Sequence, residues 1–576
     1  MTSINKAMML FNNSKEPQWH NFSNPYKSVS TFKVSEVSDC LKIVEEETSK
    51  NKWAVGYLTY EAGKAFDDAF MAKESDEIPL LNFSFFHEAE LVPTPTPPEM
   101  ALELNWEQSI SKKEYIQNIQ KIKSKIKSGD TYQVNYTYFL LSHLYRDPYE
   151  LFAAMHTKQQ CQYSAYLETE DYAICSASPE LLFEYDGQTI ITKPMKGTRP
   201  RTEAVGSDEM IKELRTSTKD LAENTMIVDM ARNDLSRIAK LKDVDLYDVE
   251  TYPTVYQMTS TIKAETKATL SEIFQAIFPA ASITGAPKYS TSKIISDLES
   301  DPRGIYTGSI GVISPQNKMQ FNVAIRTALV NKNTRSLKYG IGGGIVWDSE
   351  ASAEWKETID KAKIVESSKD FYLFETVSWN KENGFCLIDY HLKRLKTSAS
   401  NFGIKFSDNE LRQELNKSEQ QLSSNERDTR CVRIILHKKG TFEVQLKPLV
   451  DKNFEKKIVK FDTQATDTKN IYIQNKTSFR AIYERAQKTQ PNFFDIILWN
   501  QNNEITESTI ANIVIKNGAS YSTPPESCGL LPGTFRQKLI ENKIIDEQII
   551  YKNDLQKADE IFLINSVRGW VRVHIE

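Results

Sequence analysis

The sequence predicts a mixed α and β protein, α/β with α+β character, in at least two parts. Three observations predict it. Helical and strand patterns alternate along the whole chain. With 576 residues, 40% of them hydrophobic, the chain can bury large cores; at about 150 residues per domain the length allows three or four units, fewer where α/β domains are large. A polar run, Glu366-Ser-Ser-Lys-Asp370, separates a helical pattern (Ala353 to Val365) from a strand-like one (Phe371 to Trp379) with no long flexible linker between them.

The elements follow in order. Val92-Pro-Thr-Pro-Thr-Pro-Pro98 is an extended loop, read as a crossing inside one domain. Ser111 to Ser128 reads as a helix, because Ile116, Ile119, Ile122 and Ile126 recur at helical spacing and Gly129 supplies a stop. Thr131 to Tyr138 reads as a strand rich in Thr, Tyr and Val. In the last third, Asp389 to Leu395 is helical and Asn401-Phe-Gly403 ends it, Ile471-Tyr-Ile473 is strand-like, and Gly529 to Arg536 is a glycine turn leading into a helix.

Composition excludes several classes. Acids outnumber bases 77 to 72, a formal charge of -5, so electrostatics give no argument for a nucleic acid or an anionic membrane as partner. The six cysteines form no CxxC pair, which disfavours zinc-ribbon and thioredoxin-type sites and fits a reducing compartment. The seven histidines are too dispersed for a His-based metal site. No signal-peptide core or stretch of about 18 apolar residues occurs, so the expectation is a soluble cytoplasmic protein.

Four features of the first 365 residues could carry chemistry. Asp220 and Glu223 lie three apart on one helix face, and Glu354 and Glu357 repeat that arrangement. Together they could hold a hard cation such as Mg²⁺, although solvated helix faces are the commoner meaning of such spacing. Gly340-Ile-Gly-Gly-Gly-Ile345 does not match a nucleotide loop; it offers either close approach of a ligand to backbone N–H groups or a tight turn between strands. Lys196 sits between Pro and Gly residues in a fixed turn, and becomes a nucleophile only if burial lowers its pKa.

In order along the chain stand Gly129-Asp-Thr-Tyr-Gln-Val-Asn135, Ser176-Ala-Ser-Pro-Glu180, Pro194-Met-Lys-Gly-Thr-Arg-Pro-Arg201, Glu223-Asn-Thr-Met-Ile-Val-Asp229, Arg232-Asn-Asp234, Phe278-Pro-Ala-Ala-Ser-Ile-Thr-Gly-Ala-Pro-Lys288, Pro302-Arg-Gly304 and Asn322-Val-Ala-Ile-Arg-Thr327. This series resembles the chorismate-utilising enzymes: anthranilate, aminodeoxychorismate, isochorismate and salicylate synthases. The resemblance covers most of residues 50 to 365 and implies a large sandwich domain over residues 1–366. It assigns Glu223 and Glu357 as Mg²⁺ ligands with Asp220 and Glu354 beside them, and Glu180 as the general acid. It places Tyr306, Arg326, Lys361, Thr284 and the amides at Gly343 and Gly344 around the substrate. Lys196 points to the aminodeoxychorismate branch, where this position of the motif carries Lys and its relatives usually carry Ala. Gln257 departs from the family, many of whose members have His there.

In the last 200 residues, Phe374-Glu-Thr376, the run His391-Leu-Lys-Arg-Leu395, Lys476, Ile505-Thr-Glu-Ser-Thr-Ile-Ala-Asn512, Gly529-Leu-Leu-Pro-Gly-Thr-Phe-Arg536 and Asn565-Ser-Val-Arg-Gly569 resemble fold-type IV pyridoxal-phosphate enzymes. That family includes branched-chain and D-amino acid aminotransferases and aminodeoxychorismate lyase. The resemblance implies a domain of two α/β subdomains over residues 371–576, with Lys476 bonded to the cofactor and Glu507 on its pyridine nitrogen. Arg394, the amides of Thr534 and Phe535, and Ser566 would hold the phosphate. Phe479 and Phe535 depart from residues found in relatives.

Joined, the two resemblances imply para-aminobenzoate synthesis for folate: amination of chorismate, then elimination of pyruvate, with Mg²⁺ and pyridoxal 5'-phosphate as cofactors. Ammonia would come from a separate glutamine amidotransferase subunit or from solution, and a homodimer would form through the C-terminal domain. The competing readings are an anthranilate synthase in the first domain, an aminotransferase in the second, and a catalytically silent scaffold.

Overall fold

A computed structural model describes residues 3–12, 16–98, 102–201, 207–253, 255–362, 365, 371–423, 429–447 and 457–576. The polar run at 366–370, and residues 363–364 of the helical pattern before it, lie outside the described residues. The chain forms two compact units, Met1–Glu366 and Ser367–Glu576.

In the first unit, described strands make two ten-stranded sheets, antiparallel throughout. One core cluster takes Met9, Phe11 and Ile174 from the first sheet and Val55, Tyr57 and Ile310 from the second, so the sheets pack face to face. Helices cover the outer faces. Lys112–Lys127, Pro148–Gln159 and Ala351–Ala362 pack on the first sheet, and Val37–Thr48, Thr218–Ser236 and Leu270–Ile277 on the second. The result is a helix–sheet–sheet–helix sandwich.

Local chemistry explains the elements nearest the sites. The Ser111 side chain accepts from the Glu114 N–H at 3.2 Å and starts the Lys112–Lys127 helix, whose Ile119 and Ile122 are buried. Gly129, at φ +80°, follows its end. The next strand begins at Gln133 rather than Thr131, whose hydroxyl lies within hydrogen-bond distance of the Gln133 and Ala286 carbonyls. It runs on to His143 because it pairs residue for residue with Ser336–Ile345. Gly340 to Ile345 is therefore strand interior, not a turn. Beyond Val92 no described strand occurs before Glu107, and the proline-rich segment to Pro98 is loop.

The second unit has a four-stranded antiparallel sheet, with Tyr372–Asn380 and Thr429–His437 at its centre, covered by helices Ile388–Asn401 and Asp408–Ser423. An eight-stranded mixed sheet runs from Ile505–Ser508 to Asp546–Glu547. These are the two α/β subdomains. Ile471 to Ile473 is not a strand: the Asn470 side chain accepts from the Tyr472 N–H at 2.9 Å and opens a one-turn helix, Ile471–Gln474, that buries Tyr472 and Ile473. Among the described residues no helix is long and apolar enough to cross a membrane.

Candidate active sites

A cavity of about 940 Å³ in the first unit takes in Lys196, Glu180, Tyr306, Arg326 and Lys361, together with Gly343 and Gly344. Lys196 lies on the Met195–Pro200 strand, whose pairing with Val255–Glu265 is broken by a bulge between Met195 and Thr198. Gly197, at φ +88°, permits that bulge. Gln257 braces it, donating to the Gly197 carbonyl and accepting from the Thr198 hydroxyl, both at 2.8 Å. Gln257 thus has both ends of its carboxamide hydrogen-bonded. Enclosure lowers the Lys196 pKa; Glu223 opposes this shift and Lys361 adds to it.

Glu180 is 3% exposed and accepts from the Ser282 hydroxyl at 2.6 Å. Burial raises its pKa to about 7, against the pull of that hydrogen bond. Arg326 holds a left-handed backbone, φ +50°, and donates to the Gln159 carboxamide. Lys361 donates to the Gly342 carbonyl and pairs with Glu357, both at 2.9 Å. The Tyr306 ring fills the space a Cβ on Gly340 would need.

Asp220, Glu223, Glu354 and Glu357 all line the same cavity, from helices Thr218–Ser236 and Ala351–Ala362. Their oxygen-only chemistry suits Mg²⁺. Each has a partner: Asp220 takes Arg199 at 2.7 Å, Glu223 faces Lys219 at 3.9 Å, Glu357 pairs with Lys361, and Glu354 is hydrogen-bonded to Ser349. Among the described residues no group of three His, Cys, Asp or Glu is gathered closely enough to hold a metal. Thr284 is apart from the others: it is fully buried, its hydroxyl donates to the Ala280 carbonyl at 3.1 Å, and it does not line the cavity.

A cavity of about 410 Å³ in the second unit is lined by Lys476, Glu507, Arg394, Thr534 and Ser566. The Lys476 carbonyl accepts from the Phe374 N–H at 3.0 Å, and its ammonium lies 5.4 Å from the centre of the Phe374 ring. Burial, with Arg394 adding, lowers the Lys476 pKa to about 7. Glu507 is 4% exposed, and burial raises its pKa to about 7. Gly533 and Thr534 open the helix Thr534–Glu541 at the cavity wall, an arrangement suited to an anion. The Phe535 side chain packs away against a cluster with Val514 and Leu539, and Phe535, unlike Thr534, does not line the cavity. Phe479 is core, stacked edge-on against Phe371 and Tyr472.

Several residues of these sites were not picked out by the sequence reading. Ser282 stands inside a quoted motif but has no spacing relation to Glu180. Glu375, in Phe374-Glu-Thr376, is 1% exposed and takes two bonds from Arg394, at 2.8 and 2.6 Å, and one from His391 at 2.7 Å. Burial alone would raise its pKa, but these two partners hold it well below the usual carboxylate range. Tyr483 donates to Glu507 at 2.7 Å and carries no sequence signal.

Residues 6–367 match the family described as chorismate binding enzyme, and residues 372–575 match amino-transferase class IV. The chain is 35% identical over 280 residues to anthranilate synthase component 1 1 of Haloarcula marismortui, covering 48% of this chain and 57% of that one. It is 37% identical over 283 residues to aminodeoxychorismate synthase component 1 of Salmonella typhimurium, covering 48% and 62%. It therefore spans less than two thirds of the length of either relative. The solved anthranilate synthase component I of Streptococcus pneumoniae shares the fold, with a TM-score of 0.53 at 22% identity over 60% of this chain and 91% of that one.

Proposed function

We propose that this chain, which belongs to the chorismate binding enzymes, makes 4-aminobenzoate from chorismate in two steps, the first within residues 1–366 and the second within residues 371–576. The observation that carries the reading is Lys196 enclosed in one cavity with Glu180. A neutral amine there can attack C2 of the chorismate ring while the 4-hydroxyl leaves as water with the proton of Glu180. Ammonia then bonds at C4, both ring double bonds shift back, Lys196 leaves as the neutral amine, and the proton shed by the new C4 amine returns to Glu180, giving 4-amino-4-deoxychorismate. An enzyme making anthranilate by direct attack of ammonia has no use for this amine.

Arg326, Tyr306 and Lys361, which line the same cavity, would hold the substrate carboxylates. Asp220, Glu223, Glu354 and Glu357 line that cavity but are not gathered around one point; drawn together, they would hold Mg²⁺, which would draw charge from a ring carboxylate.

In the second unit the donor set fits pyridoxal phosphate: a lysine of lowered pKa, a buried carboxyl, and an arginine beside a helix start, all lining one cavity. When bound, the cofactor supplies an electron sink. Arg394 and the amides of Thr534 and Phe535 would take its phosphate, with Ser566 beside them, and Glu507 its ring nitrogen. Lys476 takes the proton from C4 of the amino substrate. The C3–O bond breaks, the enolpyruvyl group leaves as pyruvate after taking up a proton, and the ring becomes aromatic. Ammonia comes from a separate glutamine amidotransferase subunit or from solution, and the second unit forms a homodimer.

The test supplies chorismate, ammonium, Mg²⁺ and pyridoxal phosphate to the purified protein and identifies the aromatic product. 4-Aminobenzoate is expected, and anthranilate would overturn the reading. Aminotransfer by the second unit from D- or branched-chain amino acids to a keto acid, without pyruvate release from aminodeoxychorismate, would overturn its second half.

A further inference from the structure

The carboxyl of Glu507 has two described donors, and both reach the same oxygen. The Tyr483 hydroxyl donates to Oε1 at 2.7 Å and the Leu531 N–H at 3.3 Å. Among the described residues Oε2 takes no hydrogen bond, and the residue lines the cavity. Tyr483 is itself well held. It rises from the helix Ala481–Thr489, is 6% exposed, and packs with Ile473, Ile496 and Leu498. The Arg480 guanidinium lies 4.3 Å from the centre of its ring and donates to the Thr509 carbonyl at 2.8 Å. The phenol is thus fixed by its face and by its hydroxyl.

We propose that Tyr483 is a positioning residue for the cofactor end of Glu507: its hydroxyl occupies Oε1, sets the rotation of the carboxyl, and leaves Oε2 for the pyridine nitrogen of pyridoxal phosphate. The inference rests on the reading of the second unit as a pyridoxal-phosphate site, not on the substrate that unit uses. A buried carboxyl resists ionisation, and each donor to it favours the anion. A protonated pyridine nitrogen needs that anion opposite it. The Tyr483–Glu507 bond therefore serves two ends at once, direction and charge.

The test measures equilibrium binding of pyridoxal phosphate to the full chain between pH 6 and 9, with no substrate present. Tyr483→Phe keeps the ring and its packing and removes only the donor. It is expected to melt near the parent without cofactor, yet bind pyridoxal phosphate about tenfold more weakly at pH 7. The deficit should shrink toward pH 9, where the carboxyl is ionised even without the phenol. In a Glu507→Gln background the same change should cost almost nothing, because there is no anion left to stabilise. An equal loss in both backgrounds, or a deficit flat with pH, would show that Tyr483 is merely core and overturn the proposal. A parent protein that binds no pyridoxal phosphate would overturn both the proposal and the reading beneath it. Failure to release pyruvate from aminodeoxychorismate, with these binding differences intact, would overturn only the assigned substrate.

Discussion

A Cβ built on Gly344 would stand 2.6 Å from the Lys196 Nζ. The absence of a side chain in one sheet therefore makes the space in which the lysine of the other sheet ends. Gly344→Ala should push the amine aside and lower amination of chorismate about 100-fold, the scale expected when a reacting group moves by about 1 Å. Gly343→Ala is the control. Its Cβ would meet Glu354 at 3.4 Å and Lys361 at 3.7 Å, both contacts that tolerate it, so it should cost far less. Rates with ammonium as nitrogen donor check both.

In the proposed amination Glu180 would carry its proton to the 4-hydroxyl, and burial raises its pKa to about 7. The amination rate should therefore fall as pH rises through about 7. Lys196 must be neutral to attack, and enclosure lowers its pKa toward that state. Ser282→Ala removes a hydrogen bond that favours the carboxylate, so the alkaline limb of kcat/KM should move to higher pH. Glu180→Gln should cost about 10²–10⁴-fold.

Metal removal should separate the two proposed reactions. Chelation should stop formation of aminodeoxychorismate and leave pyruvate release from added aminodeoxychorismate unchanged. Glu357→Gln should raise the Mg²⁺ concentration for half-maximal amination by at least about tenfold, measured by titration of the chelated protein.

Glu375→Gln removes the charge that holds Arg394 and His391 together. Breaking a buried ion pair costs about 3–5 kcal/mol, so the second unit should melt earlier. Retention of pyridoxal phosphate on dialysis should fall with it, because Arg394 loses the partner that aims it.

Much of this fold was legible because local chemistry and tertiary packing agree. The Ser111 cap, the isoleucine stripe behind it and the Gly129 stop all act within one helix. Ile471 to Ile473 misleads because β-branched residues suggest a strand, while the Asn470 cap decides for a helical turn. The Gly340–Gly344 run was ambiguous because its reason lies in partners distant in the chain: the Tyr306 ring, Glu354 and Lys196. The four carboxylates could be paired from i,i+3 spacing, but nothing in that spacing says that two helices meet the same cavity. Ser282, Glu375 and Tyr483 act through residues that the motifs contain, at separations of 102, 19 and 24 residues, and no periodicity reports such a bond.

The strand Tyr372–Asn380 carries both ends of the second site's support. The Phe374 amide grips the backbone of Lys476, and the next residue, Glu375, grips Arg394. A single stretch of chain thus acts as a gauge between the two anchors, so that lysine and guanidinium cannot drift apart independently. Loosening this strand on warming should release both ends of a bound cofactor in one event instead of letting either end go first.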